Sequence, residues 1–126
     1  MSNDWSSANI LKKLPDFDDM MKVSEEIGDL LLEKLKLEAS IKSTEAETIF
    51  KVTTEEKYFV GGKPPSMSFA ESTYKVTGLV GELIPMREEL AEITANLEKK
   101  KTQYDVYKNM LDMWRTLAAN ERYQSV

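Results

Sequence analysis

The sequence contains no cysteine and no histidine. Without cysteine it can form no disulfide, no thiolate zinc site and no iron–sulfur cluster, and it has no cysteine nucleophile. Without histidine it lacks the commonest general base and the commonest transition-metal ligand. Glycine and proline are also scarce, at 5 and 4 of 126 residues, which argues against a turn-rich β-sandwich. We therefore predict a non-enzymatic protein with no catalytic residue, no metal site and no cofactor.

Long apolar stretches are missing too. No apolar run exceeds three residues, as in Leu30–Leu32, whereas a membrane-spanning helix needs about 20. The first residues, Met1–Trp5, lack the basic region and apolar core of a secretory signal. Asp and Glu number 22 against 17 Lys and Arg, for a net charge of −5. These features predict an acidic, cytoplasmic protein that has no membrane partner.

Proline and glycine divide the chain into a short arm, two helices and a loop. Pro15 ends an N-terminal arm, residues 1–14, which contains a short amphipathic segment. Asp16 suits the N-cap of a first helix over about residues 17–57, because its side chain can accept hydrogen bonds from first-turn amides. Apolar residues recur along this helix at the α-helical period, with one gap at Lys34. They are Met20, Val23, Ile27, Leu30, Leu37 and Ile41.

The connection between the helices is marked by Gly61-Gly62 and Pro64-Pro65, which cannot continue a helix. Residues 58–68 are therefore predicted to form the loop. Ser68 and Glu71 match the capping-box spacing, which predicts that the second helix begins near residue 69.

The second helix, about residues 69–123, has apolar residues at alternating spacings of three and four, with one charged interruption at Lys100. Such spacing is typical of a coiled-coil seam. Because the seam keeps its phase across Pro85, we predict a kink there. The alternative is a separate short helix of about residues 69–80, with Gly78 or Gly81 in the turn. The seam positions are Val76, Leu79, Leu83, Met86, Leu90, Ile93, Leu97, Lys100, Tyr104, Tyr107, Leu111, Trp114 and Ala118.

The short loop requires the two helices to run antiparallel, and the charges agree. Residues 1–29 carry 7 acidic and 3 basic side chains, whereas residues 99–126 carry 3 acidic and 6 basic ones, so the paired ends have opposite charge. The predicted fold is all-α, a long antiparallel, coiled-coil-like helical hairpin in residues 15–126. The apolar edge of the arm, expected to fold onto Trp114 and Leu117, consists of Trp5, Ile10, Leu11 and Leu14.

The first helix has more apolar surface than one partner helix covers, because a second stripe includes Leu31, Leu35, Ala46, Ile49 and Phe50. A helix with so broad an apolar stripe usually contacts two neighbours. A lone two-helix hairpin also buries little of its surface. We predict a homodimer that forms a twofold four-helix bundle, with Leu31, Leu35, Ile49 and Phe50 in the interface. The alternative is a monomer in which the N-terminal arm covers the second stripe.

The loop is the candidate surface for binding another protein, since its apolar tip is flanked by prolines. Its candidate contacts are Tyr58, Phe59, Lys63, Met67 and Phe69. The acidic clusters at residues 25–29 and 88–92 are predicted to be solvated helix faces, because carboxylate-bridged metal sites in helical bundles also use histidine.

The C-terminal region suggests an alternative function. Bases and aromatic residues alternate there, a combination that can follow and stack on single-stranded nucleic acid. The candidate contacts are Lys99, Lys101, Lys108, Arg115 and Arg122. The aromatic residues Tyr104, Tyr107 and Trp114, however, occupy seam positions where burial is expected, and the net charge is negative. We therefore favour protein–protein interaction over a role as a recombination or replication helper.

The stretch from Tyr104 to Arg122 reads YDVYKNMLDMWRTLAANER. It resembles the ends of small helical accessory proteins encoded by tailed phages. This resemblance covers less than a fifth of the chain and includes no diagnostic motif. It implies a role in host interaction, in assembly or as a DNA-transaction accessory, within the host cell cytoplasm, and nothing about catalysis.

Overall fold

The computed structural model describes residues 6–124 of the chain. It contains α1, Ser7–Lys13; α2, Phe17–Thr54; a 3₁₀ helix, Glu56–Tyr58; α3, Met67–Thr77; and α4, Leu83–Gln124. The long helices α2 and α4 are joined by side-chain contacts, and residues 6–124 include no β-strand. The predicted all-α class and the helical hairpin are confirmed, while dimerisation stays a prediction.

The start of α2 is set by a reciprocal cap. The amide of Asp19 donates to Oδ1 of Asp16 at 2.8 Å, and the amide of Asp16 donates to Oδ2 of Asp19 at 3.3 Å. This pairing satisfies two first-turn amides that have no partner within the helix. α2 ends at Thr54, three residues before the predicted position. β-branched residues such as Thr53 and Thr54 lose rotamer freedom in a helix, which favours this earlier end.

The loop turns at Gly61-Gly62. Both glycines have positive φ angles, 62° and 80°, and Val60 and Lys63 exchange two backbone hydrogen bonds around them. Two consecutive positive φ angles are what a tight two-residue turn requires, and glycine adopts them without a steric penalty.

The cap of α3 differs from the prediction. Ser66, not Ser68, is the N-cap, and its hydroxyl accepts a hydrogen bond from the amide of Phe69 at 3.2 Å. α3 therefore begins at Met67, two residues earlier than expected. Ser66 directly follows Pro64-Pro65, so the helix starts at the first residue that can cap it.

The prediction of a single second helix with a kink near Pro85 is wrong. The structure shows the alternative, a separate short helix before the long one. α3 ends at Thr77, and residues 78–82 form a turn before α4 begins at Leu83. Pro85 is the third residue of α4, where the backbone amide has no intrahelical acceptor, so proline costs no hydrogen bond there. The seam prediction also fails at Val76, which is 52% exposed on α3.

The described chain forms two compact units. The first comprises the described parts of residues 1–29 and 96–126, which include α1, the start of α2 and most of α4. Ile10, Val23 and Leu97 are buried in it. Of the predicted apolar edge of the arm, Ile10 is buried and Leu14 half-buried, but Leu11 is 53% exposed, because it points away from the side of α1 that buries Ile10. Trp5 lies outside the described residues.

Two polar contacts fasten this first unit. The amide of Ser7 donates to Oε1 of Glu121 at 2.8 Å, and the Ser7 hydroxyl donates to the other carboxylate oxygen. These hydrogen bonds lower the pKa of Glu121. Lys100 pairs with Glu26, and its hydrogen bond lowers the pKa of that carboxyl group. The charged interruption of the seam is therefore occupied by a cross-helix ion pair.

The second unit is Leu30–Ala95, with the rest of α2, all of α3 and the start of α4. Its one buried polar side chain among the described residues, Thr48, donates to the carbonyl oxygen of Thr44 at 2.7 Å, so no buried hydroxyl is left unsatisfied. Its buried apolar residues are Ile41, Val52, Ala70, Leu83 and Ile93.

Candidate interaction surface

The second stripe of α2 is exposed in the second unit. Leu31, Leu35 and Phe50 are 43%, 54% and 67% exposed, and Ile49 is half-buried. At about 100° of rotation per residue, Leu31 and Ile49 lie about 60–80° around the helix from the buried Ile41 and Val52. Leu35 lies about 100–120° from them, and Phe50 about 160–180°. α2 therefore has one face in the core and a second apolar face that nothing in residues 6–124 fully covers. This second face lies where the sequence predicted it.

Beside the second half of this face lies an open groove between α2 and α3, with a volume of about 660 Å³. Ala46, Ile49 and Met67 provide apolar lining, and charged side chains of both helices stand around it. We call it the α2–α3 groove. Its charged lining residues are Lys42, Glu45, Glu71 and Lys75.

A network of charged side chains holds α3 beside α2. Glu45 of α2 lies 3.9 Å from Nζ of Lys75 and 3.4 Å from the guanidinium of Arg87 on α4. Arg87 also donates to the carbonyl oxygens of Lys75 and Val76, each at 3.1 Å. Cations are favoured at the C-terminus of a helix, where carbonyls lack partners. Arg87 thus caps α3 and ties it to both long helices, which keeps the α2–α3 groove in shape.

The turn between α3 and α4 is closed by Glu82. Its carboxylate accepts hydrogen bonds from the amide of Val80 at 2.8 Å and of Leu79 at 3.2 Å. These bonds lower the pKa of Glu82, the bond from Val80 contributing most. The carboxylate lies against Gly78, which has a φ of 84° and a ψ of 175°.

A Glu82→Gln variant is expected to be less stable than wild type at pH 7 by about 1 kcal/mol, because a charged acceptor is replaced by a neutral one. The folded-state pKa lies below the ordinary value of 4.5. The stabilisation by the carboxylate is therefore present above pH 4.5 and is lost as the pH falls through the lowered value. Urea unfolding should show a larger difference between the two proteins at pH 7 than at pH 3. Glu88→Gln, on the exposed side of α4, makes the same charge change and should show it at neither pH.

Of the five residues predicted as loop contacts for another protein, some pack against the rest of the chain and others are exposed to solvent. Tyr58 and Phe59 are half-buried, and the ring of Tyr58 meets Tyr74 of α3 edge to face at 5.8 Å. Phe69 is 49% exposed and contacts the same ring at 6.1 Å. Lys63 is exposed in the turn, and Met67 lines the α2–α3 groove. Tyr58 and Phe69 therefore meet at the ring of Tyr74, whereas Met67 lines the groove and Lys63 is exposed in the turn. Their role in binding another protein stays a prediction.

The predicted nucleic-acid contacts are exposed on α4. Lys101 lies 3.7 Å from Glu98, and Arg115 lies 3.8 Å from Asp112. Lys101, Lys108, Arg115 and Arg122 recur every seven residues and so follow one side of the helix, with Lys99 on another side. Their role in binding nucleic acid stays a prediction.

Three residues that line the α2–α3 groove were not predicted from the sequence: Lys42, Glu71 and Lys75. Met67, Glu71 and Lys75 recur at intervals of four, which places them on one face of a helix. That signal has meaning only once α3 is recognised as separate from α4.

Within residues 6–124, no group of three Asp or Glu side chains is placed to hold a metal ion. No helix in that part of the chain is both long enough and apolar enough to cross a lipid bilayer. No family model, no curated protein and no solved structure matches the chain.

Proposed function

We propose that this chain is a non-enzymatic interaction or assembly protein that acts by presenting the second face of α2 to another protein, and that it first binds a second copy of itself. The exposure of Leu31, Leu35 and Phe50 on the side of α2 away from its buried residues carries this proposal. Exposed apolar surface of this kind is typical of protein–protein contact. Two helices from each copy would then form a twofold four-helix bundle.

The free energy of such pairing comes from removing apolar side chains from water. A fully buried leucine or phenylalanine contributes about 1.5–3 kcal/mol. In a twofold dimer each interface residue is buried twice, and the sum of these gains must exceed the cost of association, about 4–15 kcal/mol. The resemblance of the C-terminal stretch to phage-encoded accessory proteins implies a role in host interaction or assembly. Under this proposal the protein acts in the host cytoplasm.

Sedimentation equilibrium over a wide concentration range tests the proposal. The wild-type protein should show a reversible monomer–dimer equilibrium, and Leu35→Glu should raise the dimer dissociation constant at least tenfold, because a carboxylate must lose its hydration at each copy of the site. Ile84→Glu is the matched control: Ile84 is also about half exposed in the second unit but lies on α4. A wild-type chain that stays monomeric at every concentration would contradict the proposal, and so would equal effects of the two variants.

Single-stranded nucleic-acid binding is the second candidate, favoured by the seven-residue recurrence of Lys101, Lys108 and Arg115 along one side of α4. Against it, each of these bases follows an acidic residue by three positions, in the order Glu98, Asp105 and Asp112. Titration of labelled single-stranded DNA at several salt concentrations decides between the candidates. A steep loss of affinity with salt supports this candidate, and an absence of binding at low salt eliminates it.

A further inference from the structure

We propose that α1 is a strap that opens away from the end of α4 while the rest of the first unit stays folded. The strap is tied at its first residue, Ser7, to the carboxylate group of Glu121. Opening uncovers the last apolar positions of the α4 seam, around Trp114 and Leu117. This is a conformational step within one chain, and it does not rest on the proposed self-association.

α1 continues along α4 the antiparallel path that α2 follows. Glu26 of α2 pairs with Lys100 of α4, and Ser7 of α1 is hydrogen-bonded to Glu121 of α4. Ser7 lies 19 residues before Glu26, and Glu121 lies 21 residues after Lys100. At 1.5 Å of rise per residue, the two contacts are about 31 Å apart along α4, a distance that 19 residues of helix and short linker also cover. The chain therefore keeps one register against α4 from Glu26 back to Ser7.

The end of the α4 seam lies beside α1 in this register. Phe17, the first residue of α2, lies opposite about residue 109 of α4. Trp114 and Leu117 lie beyond that point and are nevertheless half-buried. Ile10, the buried residue of α1, lies at their level and is 7% exposed. Among the described elements, α1 is therefore the one that covers this end of the seam.

α1 is held by few interactions for a helix of its length. It has seven residues, fewer than the ~12–15 that an isolated helix needs to be stable in water. Its hydrogen bonds to Glu121 are exposed to solvent, and Ile10 is its one buried side chain. Segments with few buried apolar contacts and exposed hydrogen bonds open at a lower free energy than the whole fold. α1 is therefore the part of the first unit that opens first.

α2 keeps its own start when α1 leaves. Asp16 and Asp19 cap α2 reciprocally, and the amide of Met20 donates to the carbonyl oxygen of Asp16 at 3.2 Å. None of these bonds involves α1. Leu14 has the extended φ and ψ angles, −68° and 140°, that a residue before a proline prefers, so Pro15 separates the two helices. Residues 14–16 therefore form the hinge of the strap.

Glu121 acts at the end of α1 that lies farthest from the hinge. One of its carboxylate oxygens accepts a hydrogen bond from the amide of Ser7 at 2.8 Å, and the other accepts one from the Ser7 hydroxyl. The amide of a first helical residue has no acceptor within its own helix. Glu121 satisfies that amide from α4, so loss of its carboxylate releases the free end of the strap.

Amide hydrogen exchange in the full-length chain, followed residue by residue, tests the strap. In the wild-type protein, the amides of Leu11 and Lys12 should be protected, but about 100-fold less than the amide of Leu97, since α1 opens without global unfolding. Glu121→Gln should speed exchange in α1 by about 3–10-fold and leave that of Leu97 unchanged, because one neutral acceptor replaces two charged oxygens. Glu98→Gln is the matched control: it removes the same charge from an exposed site on α4 and should leave exchange in α1 at the wild-type rate.

Tryptophan fluorescence tests what the strap covers. In a Trp5→Phe background, Trp114 is the one tryptophan of the chain. Ile10→Ala removes the buried side chain of α1 and should raise the quenching of Trp114 by acrylamide about twofold, because the open state becomes more populated. Leu11→Ala makes a similar change on the exposed side of α1 and should leave the quenching as it is.

The outcomes that contradict the strap differ between the two experiments. Protection of α1 equal to that of Leu97 would show that α1 leaves only on global unfolding, and no protection at all would show that the strap is not closed. An unchanged rate in Glu121→Gln would show that Glu121 is not the tie. Equal quenching of Trp114 in the Ile10→Ala and Leu11→Ala variants would show that α1 does not cover it. Each of these results overturns the proposal and leaves the proposed self-association standing.

Discussion

A Gly78→Ala variant is expected to be less stable than wild type by about 3 kcal/mol. The φ and ψ angles of Gly78, 84° and 175°, fall in a region that is essentially restricted to glycine, where another residue costs about 1–3 kcal/mol. A Cβ atom there would also lie 2.6 Å from Oε2 of Glu82. The carboxylate would have to move and release the amides of Leu79 and Val80, which adds the cost of losing a charged acceptor. Thermal unfolding should show a midpoint lower by about 10 °C.

A Gly81→Ala variant separates the backbone strain at a positive φ angle from the clash with the carboxylate of Glu82. Gly81 also has a positive φ, 80°, but the nearest neighbouring atom to an added Cβ would be Cδ1 of Ile84 at 3.9 Å, an ordinary contact. This variant should therefore show the backbone cost alone, about 1 kcal/mol. A double variant, Gly78→Ala with Glu82→Ala, removes the clashing carboxylate and should cost less than the sum of its single changes. Equal stability losses for Gly78→Ala and Gly81→Ala would disprove the role assigned to Glu82.

The same turn explains why the sequence predicted the helices better than their junction. The apolar spacing continues from Leu79 through Leu83 to Met86, and both Leu79 and Leu83 are at least half-buried, so periodicity alone detects no break. The break depends on two positive φ angles and on a carboxylate that caps two loop amides. Both features depend on the three-dimensional structure. Pro85 was taken to mark a kink within one helix, but it lies in the first turn of α4, where proline is tolerated.

The part of the candidate surface that lies on α2 alone could be predicted from the sequence. The spacing of Leu31, Leu35 and Phe50 identified the second face of α2, and these side chains are exposed. The α2–α3 groove was not predictable in this way, because it exists only where α3 packs beside α2. That packing involves the ion pairs of Glu45 with Lys75 and with Arg87. In the sequence, Glu45 of α2 lies 30 positions before Lys75 of α3 and 42 positions before Arg87 of α4. Long-range ion pairs leave no periodic trace in a single chain.

A Leu97→Ala variant tests the seam between the long helices and is expected to cost about 3 kcal/mol. Leu97 is 1% exposed, and removing most of a buried leucine side chain leaves a cavity that its neighbours fill only in part. Its position follows from the spacing of three and four that runs from Leu83 to Ala118. Urea unfolding should give a lower midpoint with an unchanged slope, because the native surface area hardly changes.

Val106→Ala provides the matched control for this change. Val106 belongs to α4 and to the same compact unit, but it is 49% exposed and lies off the seam. Its replacement removes little buried surface, and alanine has the higher helix propensity, so the stability should stay within about 0.5 kcal/mol of wild type. If Leu97→Ala were tolerated as well as Val106→Ala, the burial assigned to the seam in the first unit would be wrong.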